Sequence, residues 1–154
     1  MQVLLFQTGG RRLALPSREV SEIVLRPALT RLGEEPPWLE GYFCLENNLV
    51  PVLRADRLLG RSEDSRSLYT HLLVLNVTRR PVALAVERAE ELAEISPDAL
   101  TTVRETDSFN QCVAAMMAWR GDQVPLLSGR RMLLDEEQRR VEFWLQRAEE
   151  RLPQ

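Results

Sequence analysis

The side chains that could do chemistry in this chain are few and far apart. His71 is the only histidine, and it lies inside the apolar run "YTHLLVLNV". A lone imidazole in such a run reads as a packed or edge residue. It cannot build a histidine-based metal site with two distant cysteines. Cys44 and Cys112 show no CxxC spacing, and each falls in an apolar stretch, so both are expected to be buried thiols. General acid–base work needs two carboxylates converging in a pocket, whereas Glu87, Glu90, Glu91 and Glu94 read as a solvated acidic face. No GxSxG, HExxH, P-loop or GxGxxG pattern is present. The sequence therefore assigns no catalytic residue, cofactor or metal, and an interaction protein is the leading class. One group remains odd: Glu46-Asn47-Asn48 in "GYFCLENNLVPVL" places an acid and two amides at the tip of an apparent hairpin.

The elements that must position that tip follow from the bulk properties and the pattern. The 154 residues suit one domain or two small subdomains sharing a core, and 44% hydrophobic with 28% charged content is that of an ordinary globular chain. A net charge of -3 with no basic stripe argues against a nucleic-acid partner, and the few, scattered aromatics argue against a base-stacking platform. All 20 basic residues are arginine, as a GC-rich genome would give. The start "MQVLLFQTGG" lacks the basic opening and length of a signal peptide. No apolar run reaches the ~18 residues of a membrane span. A cytoplasmic protein without direct membrane insertion is expected.

Most elements read as strands. Val3–Thr8 and Arg11–Pro16 flank Gly9-Gly10, a tight hairpin, because glycine reaches the positive φ such turns need. Ser17 opens a short helical turn and Val20–Arg26 is a strand. Residues 28–38 are loop, and the opening hairpin has arms near Tyr42–Leu45 and Leu49–Leu53. A helical turn is expected over Arg54–Leu59 and a polar loop over Arg61–Ser67. Tyr69–Val77 and Pro81–Val86 form a strand pair, Glu87–Glu94 fits helix or strand, and 96–111 is a polar connection. Cys112–Trp119 and Gln123–Leu127 form a last hairpin around Arg120-Gly121-Asp122. From Asp135, with Gln138 as its capping-box partner, Val141, Trp144, Leu145, Ala148 and Leu152 make one apolar stripe on a helix. Acids at its start and Arg147 and Arg151 near its end suit the helix dipole.

The chain also repeats itself. "LENNLVPVLRADRLL" (Leu45–Leu59) matches "WRGDQVPLLSGRRML" (Trp119–Leu133), with Val50-Pro51-Val52-Leu53 opposite Val124-Pro125-Leu126-Leu127. Proline is tolerated at a strand edge or start. Its recurrence in one context points to two similar halves.

The ordered strings "FQTGGRRLALPSREVSEIV", "WLEGYFCLENNLVPVLRADRLLG", "LVLNVTRRPVALAVERAEEL" and "GDQVPLLSGRRMLLDEE" resemble the CheW family of chemotaxis coupling proteins over residues 3–137. The resemblance implies a mainly β fold, two five-stranded SH3-like β-barrel subdomains around a shared core (1–134), to which the apolar stripe adds a C-terminal amphipathic helix (135–154). It implies a non-enzymatic adaptor. Such proteins bridge chemoreceptor cytoplasmic tips to the regulatory domain of a CheA-type histidine kinase, and are recruited to membrane receptor arrays. Receptor tips dock in a groove between the subdomains.

Val20 and Glu22 fall where the family's "VxEI" carries partner contacts. Gly41, Leu45, Val50 and Pro51 fit "GvxNLRGxvvPVxDLR", and with Glu46 and Asn47 they mark the other implied partner segment. That segment also departs from the pattern. Cys44 replaces Asn, Glu46 replaces Arg, Asn47 replaces Gly and Arg54 replaces Asp; Ser128 replaces a common Asp in the second hairpin. The Arg-to-Glu change reverses charge at the tip, and like charges across an interface reject a partner. A Glu46–Arg54 pair across the hairpin end is one expectation. A diverged scaffold that keeps the fold but binds a different partner, in localisation, a pilus or another signalling assembly, is the alternative reading.

Overall fold

Four segments are apolar at nearly every position: Val3–Phe6, Leu13–Leu15, Leu72–Leu75 and Val82–Val86. A strand with one wet face alternates, whereas a strand buried on both faces does not. The computed structural model describes residues 1–55, 69–103, 112–132 and 135–151, the last with side chains from 139 onward. In it, all four runs lie in strands buried on both sides.

The strands are β1 (Gln2–Thr8), β2 (Arg11–Pro16), β3 (Val20–Leu25), β4 (Leu39–Leu45), β5 (Asn48–Arg54), β6 (His71–Leu75), β7 (Val82–Val86), β8 (Arg88–Glu94), β9 (Leu100–Thr102), β10 (Val113–Trp119) and β11 (Asp122–Leu127). Short 3-10 turns at Ser17–Glu19 and Pro97–Ala99 precede β3 and β9; α1 (Gly129–Met132) and α2 (Asp135–Arg151) follow β11. The strands form two sheets, ordered β8-β1-β2-β11-β10-β9 and β3-β6-β7-β5-β4. These are the two expected SH3-like subdomains, the first carrying the three-residue β9 as a sixth strand. The second subdomain is contiguous from Val20 to Val86. The first is in two pieces, its N-terminal hairpin β1–β2 completing the strands β8–β11.

Alternation then divides each middle strand between two cores. Val3 and Leu5 enter the interior of the first subdomain with Ala14, Met117 and Leu126. Leu4 and Phe6 enter a core shared by both subdomains. On β7, Ala83 and Ala85 line the second subdomain's interior, while Val82, Leu84 and Val86 face the shared core. Fully burying each such leucine contributes about 1.5–3 kcal/mol. Val141, Leu145 and Ala148 of α2 join the same shared core. The stripe read from the sequence therefore docks on the body. Arg80 holds the helix through Glu142 (3.8 Å) and Glu149, and Glu34 holds it through Arg147 (3.2 Å).

The repeat is structural. Hairpins β4–β5 and β10–β11 each seat a parallel neighbour, Val52 opposite Ala83 and Leu126 opposite Ala14. Pro51 and Pro125 come one residue before these parallel pairings begin, where a missing N–H interrupts no ladder bond. Both prolines are thus in inner strands, not at an edge or a strand start. Three two-residue loops close hairpins with both residues at positive φ: Gly9-Gly10, Glu46-Asn47 and Arg120-Gly121. This is the type I′ geometry that matches strand twist. The tip is therefore Glu46-Asn47 alone, because Asn48 already pairs with Leu45.

Segment 88–94, open between helix and strand in the sequence, is a strand. Several expectations are corrected. The polar connection contains β9. Cys112 is buried, but Cys44 is exposed: Phe43 turns inward, so its neighbour on β4 must face out. Arg54 does not pair with Glu46, since it lies at the far end of β5 from the tip. It is fully buried, with Nε 3.8 Å from Glu40 Oε2 and donating to the Tyr69 hydroxyl at 3.2 Å. The turn over 56–59, the loop 61–67, Leu58-Leu59, Leu133, the connection 104–111, the Asp135–Gln138 capping pair and Leu152 lie outside the described residues.

Two stability predictions follow from these burials. Arg54→Met takes from Glu40, itself 4% exposed, its buried counter-ion while the more exposed Arg26 stays 3.4 Å away, and should cost about 3 kcal/mol. In urea unfolding, Arg54→Met with Glu40→Leu should lose less than that single change. Tyr42 is fully buried, and its hydroxyl has no hydrogen-bond partner among the described residues. Burial first, and the charge of Glu35 second, push its pKa up to about 12. The folded state thus keeps a proton that the unfolded chain releases near pH 10. Melting temperature should fall as pH rises from about 10 to 12, and Tyr42→Phe should remove that component of the fall.

Candidate partner-binding site

The sequence-marked residues separate into a groove, a hairpin tip and one buried position. The groove lies where the two subdomains meet. It encloses about 400 Å3, with Val20, Ser21, Glu22 and Ile23 of β3 on one wall and Leu4 of β1 and Leu92 of β8 on the other. Four consecutive β3 residues can line it because a bulge between Val20 and Glu22 breaks the two-residue alternation. Ser21 Oγ donates to the Val74 carbonyl at 3.2 Å at this bulge.

The turn that feeds β3 is fixed from two directions. Glu19 accepts from the Gly129 N–H at 2.7 Å, and a Cβ on Gly129 would lie 2.9 Å from that carboxylate. The Asn76 N–H donates to the Glu19 carbonyl at 3.1 Å.

The floor of the groove is the edge of the shared core, since Leu4 is buried in it and Val20 packs against it. Its rim is apolar and open: Ile23 is 45% exposed and Leu92 56%, with Leu25 further along β3 at 73%. This wet apolar strip is the candidate contact surface. Sequence reading missed Ile23, Leu25 and Leu92. Leu92 was detectable, as the one large apolar residue in "RAEELAE" once that segment is a strand.

At the tip, Glu46 and Asn47 are exposed and Leu45 packs partly onto the second subdomain's interior. The tip belongs to β4–β5, and β3 and β4 are the two ends of their sheet's strand order. Val20 and Glu22 thus share one surface, while Leu45, Glu46 and Asn47 form another. Neither Glu22 nor Glu46 has an ion-pair partner among the described residues, so both present unneutralised charge.

Gly41 belongs to neither surface. It is buried at φ +156°, and a Cβ there would sit 2.9 Å from the Thr30 carbonyl and 3.2 Å from Leu29 Cβ. The missing side chain lets Thr30 cross and bond Tyr42 in both directions, at 2.8 and 2.9 Å.

The acidic run is a solvated face at Glu91 and Glu94, which are exposed, while Glu87 and Glu90 are half-buried and all four carboxylates have partners. Glu90 takes a two-point contact from Arg12, at 2.9 and 3.2 Å, and this hydrogen bond, ahead of the charge attraction, holds its carboxyl below the usual range. Glu87 accepts from the Gly10 N–H, Glu91 faces Arg120 and Glu94 binds the N-terminal ammonium. The guanidinia of Arg12 and Arg120 also flank the Trp119 ring, at 5.4 and 4.3 Å. His71 Nδ1 lies 3.0 Å from Thr70 Oγ1 and accepts weakly from the Ala89 N–H. Among the described residues no group of three or more His, Cys, Asp or Glu could hold a metal ion. None of their helices is long and apolar enough to cross a membrane.

Two fused SH3-like subdomains with an apolar groove at their junction define an interaction domain of the scaffold class. The family model of the CheW-like domain matches residues 2–137, and the chain belongs to that family, whose members are chemotaxis adaptors and scaffolds, not enzymes. It is 26% identical over 110 residues to the chemotaxis protein CheW of Helicobacter pylori (strain ATCC 700392 / 26695), covering 71% of this chain and 67% of that one. Its fold is similar to that of the scaffolding protein TtCheW from Thermoanaerobacter tengcongensis. There the TM-score is 0.79 at 15% identity, covering 88% of this chain and 94% of the other.

Gly41→Ala should cost about 2–3 kcal/mol from overpacking against backbone, read as a lower urea midpoint. It should do so without altering the exposed tip.

Proposed function

We propose that this protein is a non-enzymatic adaptor that joins chemoreceptor cytoplasmic tips to the regulatory domain of a CheA-type histidine kinase, in chemotaxis or a related motility array. The observation that supports it best is the groove between the subdomains, with Val20 and Glu22 in its wall and Ile23 and Leu92 open on its rim. A helical receptor tip buries an apolar stripe in a groove of this kind. Leu45, Glu46 and Asn47 form a second, charge-selective contact.

A second reading rests on the tip. Glu46 holds a left-handed backbone that costs a non-glycine residue about 1 kcal/mol, and it carries the charge opposite to the family's arginine. An unpaired carboxylate there favours a partner with a matching basic site. This reading makes the chain a diverged scaffold with a partner of its own.

Pull-down and calorimetry with a receptor-tip fragment and a kinase regulatory domain separate the two. Adaptor function gives affinities of roughly micromolar order for both, as transient interfaces do. Ile23→Arg should abolish receptor-tip binding and leave kinase binding in place. Glu46→Arg should leave folding nearly unchanged and shift partner choice. Recovery of neither partner would rule out the adaptor reading. A large drop in melting temperature for Glu46→Arg with unchanged binding would make the tip purely structural.

A further inference from the structure

A second groove, of about 600 Å3, is distinct from the one between the subdomains. It runs between α2 and the β6–β7 turn. Its floor is apolar, made by Pro51, Val82 and Leu145, and Phe143 stands on its rim. Phe143 is 53% exposed, yet its ring is held in place. Trp144 meets it edge to face at 5.7 Å and the Arg147 guanidinium lies 5.7 Å from its centroid. An exposed ring with two such neighbours offers an apolar face on which a partner's side chain can pack.

The charges around the groove are unequal. Arg80 is engaged by Glu142 and Glu149. Arg79 on the turn and Arg139 on the helix are exposed, and neither has an ion-pair partner among the described residues. A chain of net charge -3 thus carries, beside one apolar trough, two guanidinia without ion-pair partners among the described residues. A bare anion would answer the charges but leave the floor and Phe143 in water. An apolar helix would cover the floor but desolvate both arginines without compensation, which is costly.

We propose that this groove is a second docking surface, taking an acidic segment of a partner protein that carries a large apolar side chain between its carboxylates. The carboxylates pair with Arg79 and Arg139, where a guanidinium fork matches a carboxylate, and the apolar residue packs on Phe143 and Pro51. The surface lies apart from Val20, Glu22 and the Glu46 tip, so it adds a partner and does not compete for the first.

The test is fluorescence anisotropy of the intact chain with a fluorescein-labelled octapeptide, Phe-Leu flanked by three acidic residues on each side, at low salt. Binding is expected with a Kd of roughly 10–300 μM, weakening as salt rises. The double variant Arg79→Glu/Arg139→Glu should bind at least ~10-fold more weakly and Phe143→Ala at least ~5-fold. Arg130→Glu, a charge reversal on exposed α1, should leave the peptide Kd unchanged, and a peptide with Ser-Ser in place of Phe-Leu should not bind. Both arginines lack partners to lose, so unchanged melting temperatures should accompany the effect, and Arg79→Glu alone keeps the test valid if a helix variant unfolds. No binding by the wild-type chain at millimolar peptide, an unchanged Kd in the double variant, or equal binding of the Ser-Ser peptide would overturn the proposal.

Discussion

Burial of the middle strands on both faces is the constraint on which the rest of the molecule depends. β1, β2, β6 and β7 each carry one apolar face for their own subdomain and one for the core between subdomains. Neither subdomain can move away from the other without wetting the second face of its central strands, at about 25 cal/mol for each Å2 of apolar surface exposed. The two units are therefore one cooperative body. The groove at their junction inherits that rigidity. Its floor is where the shared core reaches the surface, and its walls are strands locked by Ser21, Glu19 and Gly129. A partner meets a preformed site there and avoids the ordering cost of a flexible one.

The departures from the family pattern are of two physical kinds. Arg54 is inside, and its charge is answered by Glu40 and the Tyr69 hydroxyl; it rewrites the interior electrostatics without touching the surface. Glu46 is outside on a two-residue turn, answered by nothing among the described residues, and it rewrites the surface without touching the interior. Their opposite signs suggested a pair, but they stand at opposite ends of β5. Conclusions about partners rest on Glu46, and conclusions about stability rest on Arg54.

The fold was legible wherever local chemistry decides it. Unbroken apolar runs announced doubly buried strands, Gly9-Gly10 and Arg120-Gly121 announced tight turns, and the repeated Val-Pro pair marked the equivalent hairpins. The i, i+3, i+4 stripe found the face of α2. Legibility failed where a distant partner decides. "ERAEELAE" has the alternation of a strand and the composition of a helix, and only its place beside β1 selects the strand. The Glu40 counter-ion of Arg54 is set by the pairing of β4 with β5. The groove was half visible, because Val20 and Glu22 came from a resemblance while Ile23 and Leu92 needed the meeting of two subdomains. Gly41 matched a motif yet serves Thr30, which no motif encodes.

The split first subdomain has a consequence for the order in which the molecule is made. β1 and β2 leave the ribosome before the other strands described, yet their lateral neighbours β8 and β11 follow only after β3–β7. At roughly 5–20 residues per second, the nascent hairpin spends several seconds with both long edges unpaired and its Leu and Val side chains wet. During that interval the contiguous strands β3–β7 can close on their own. The first subdomain is therefore completed only after every strand of the second has been synthesised.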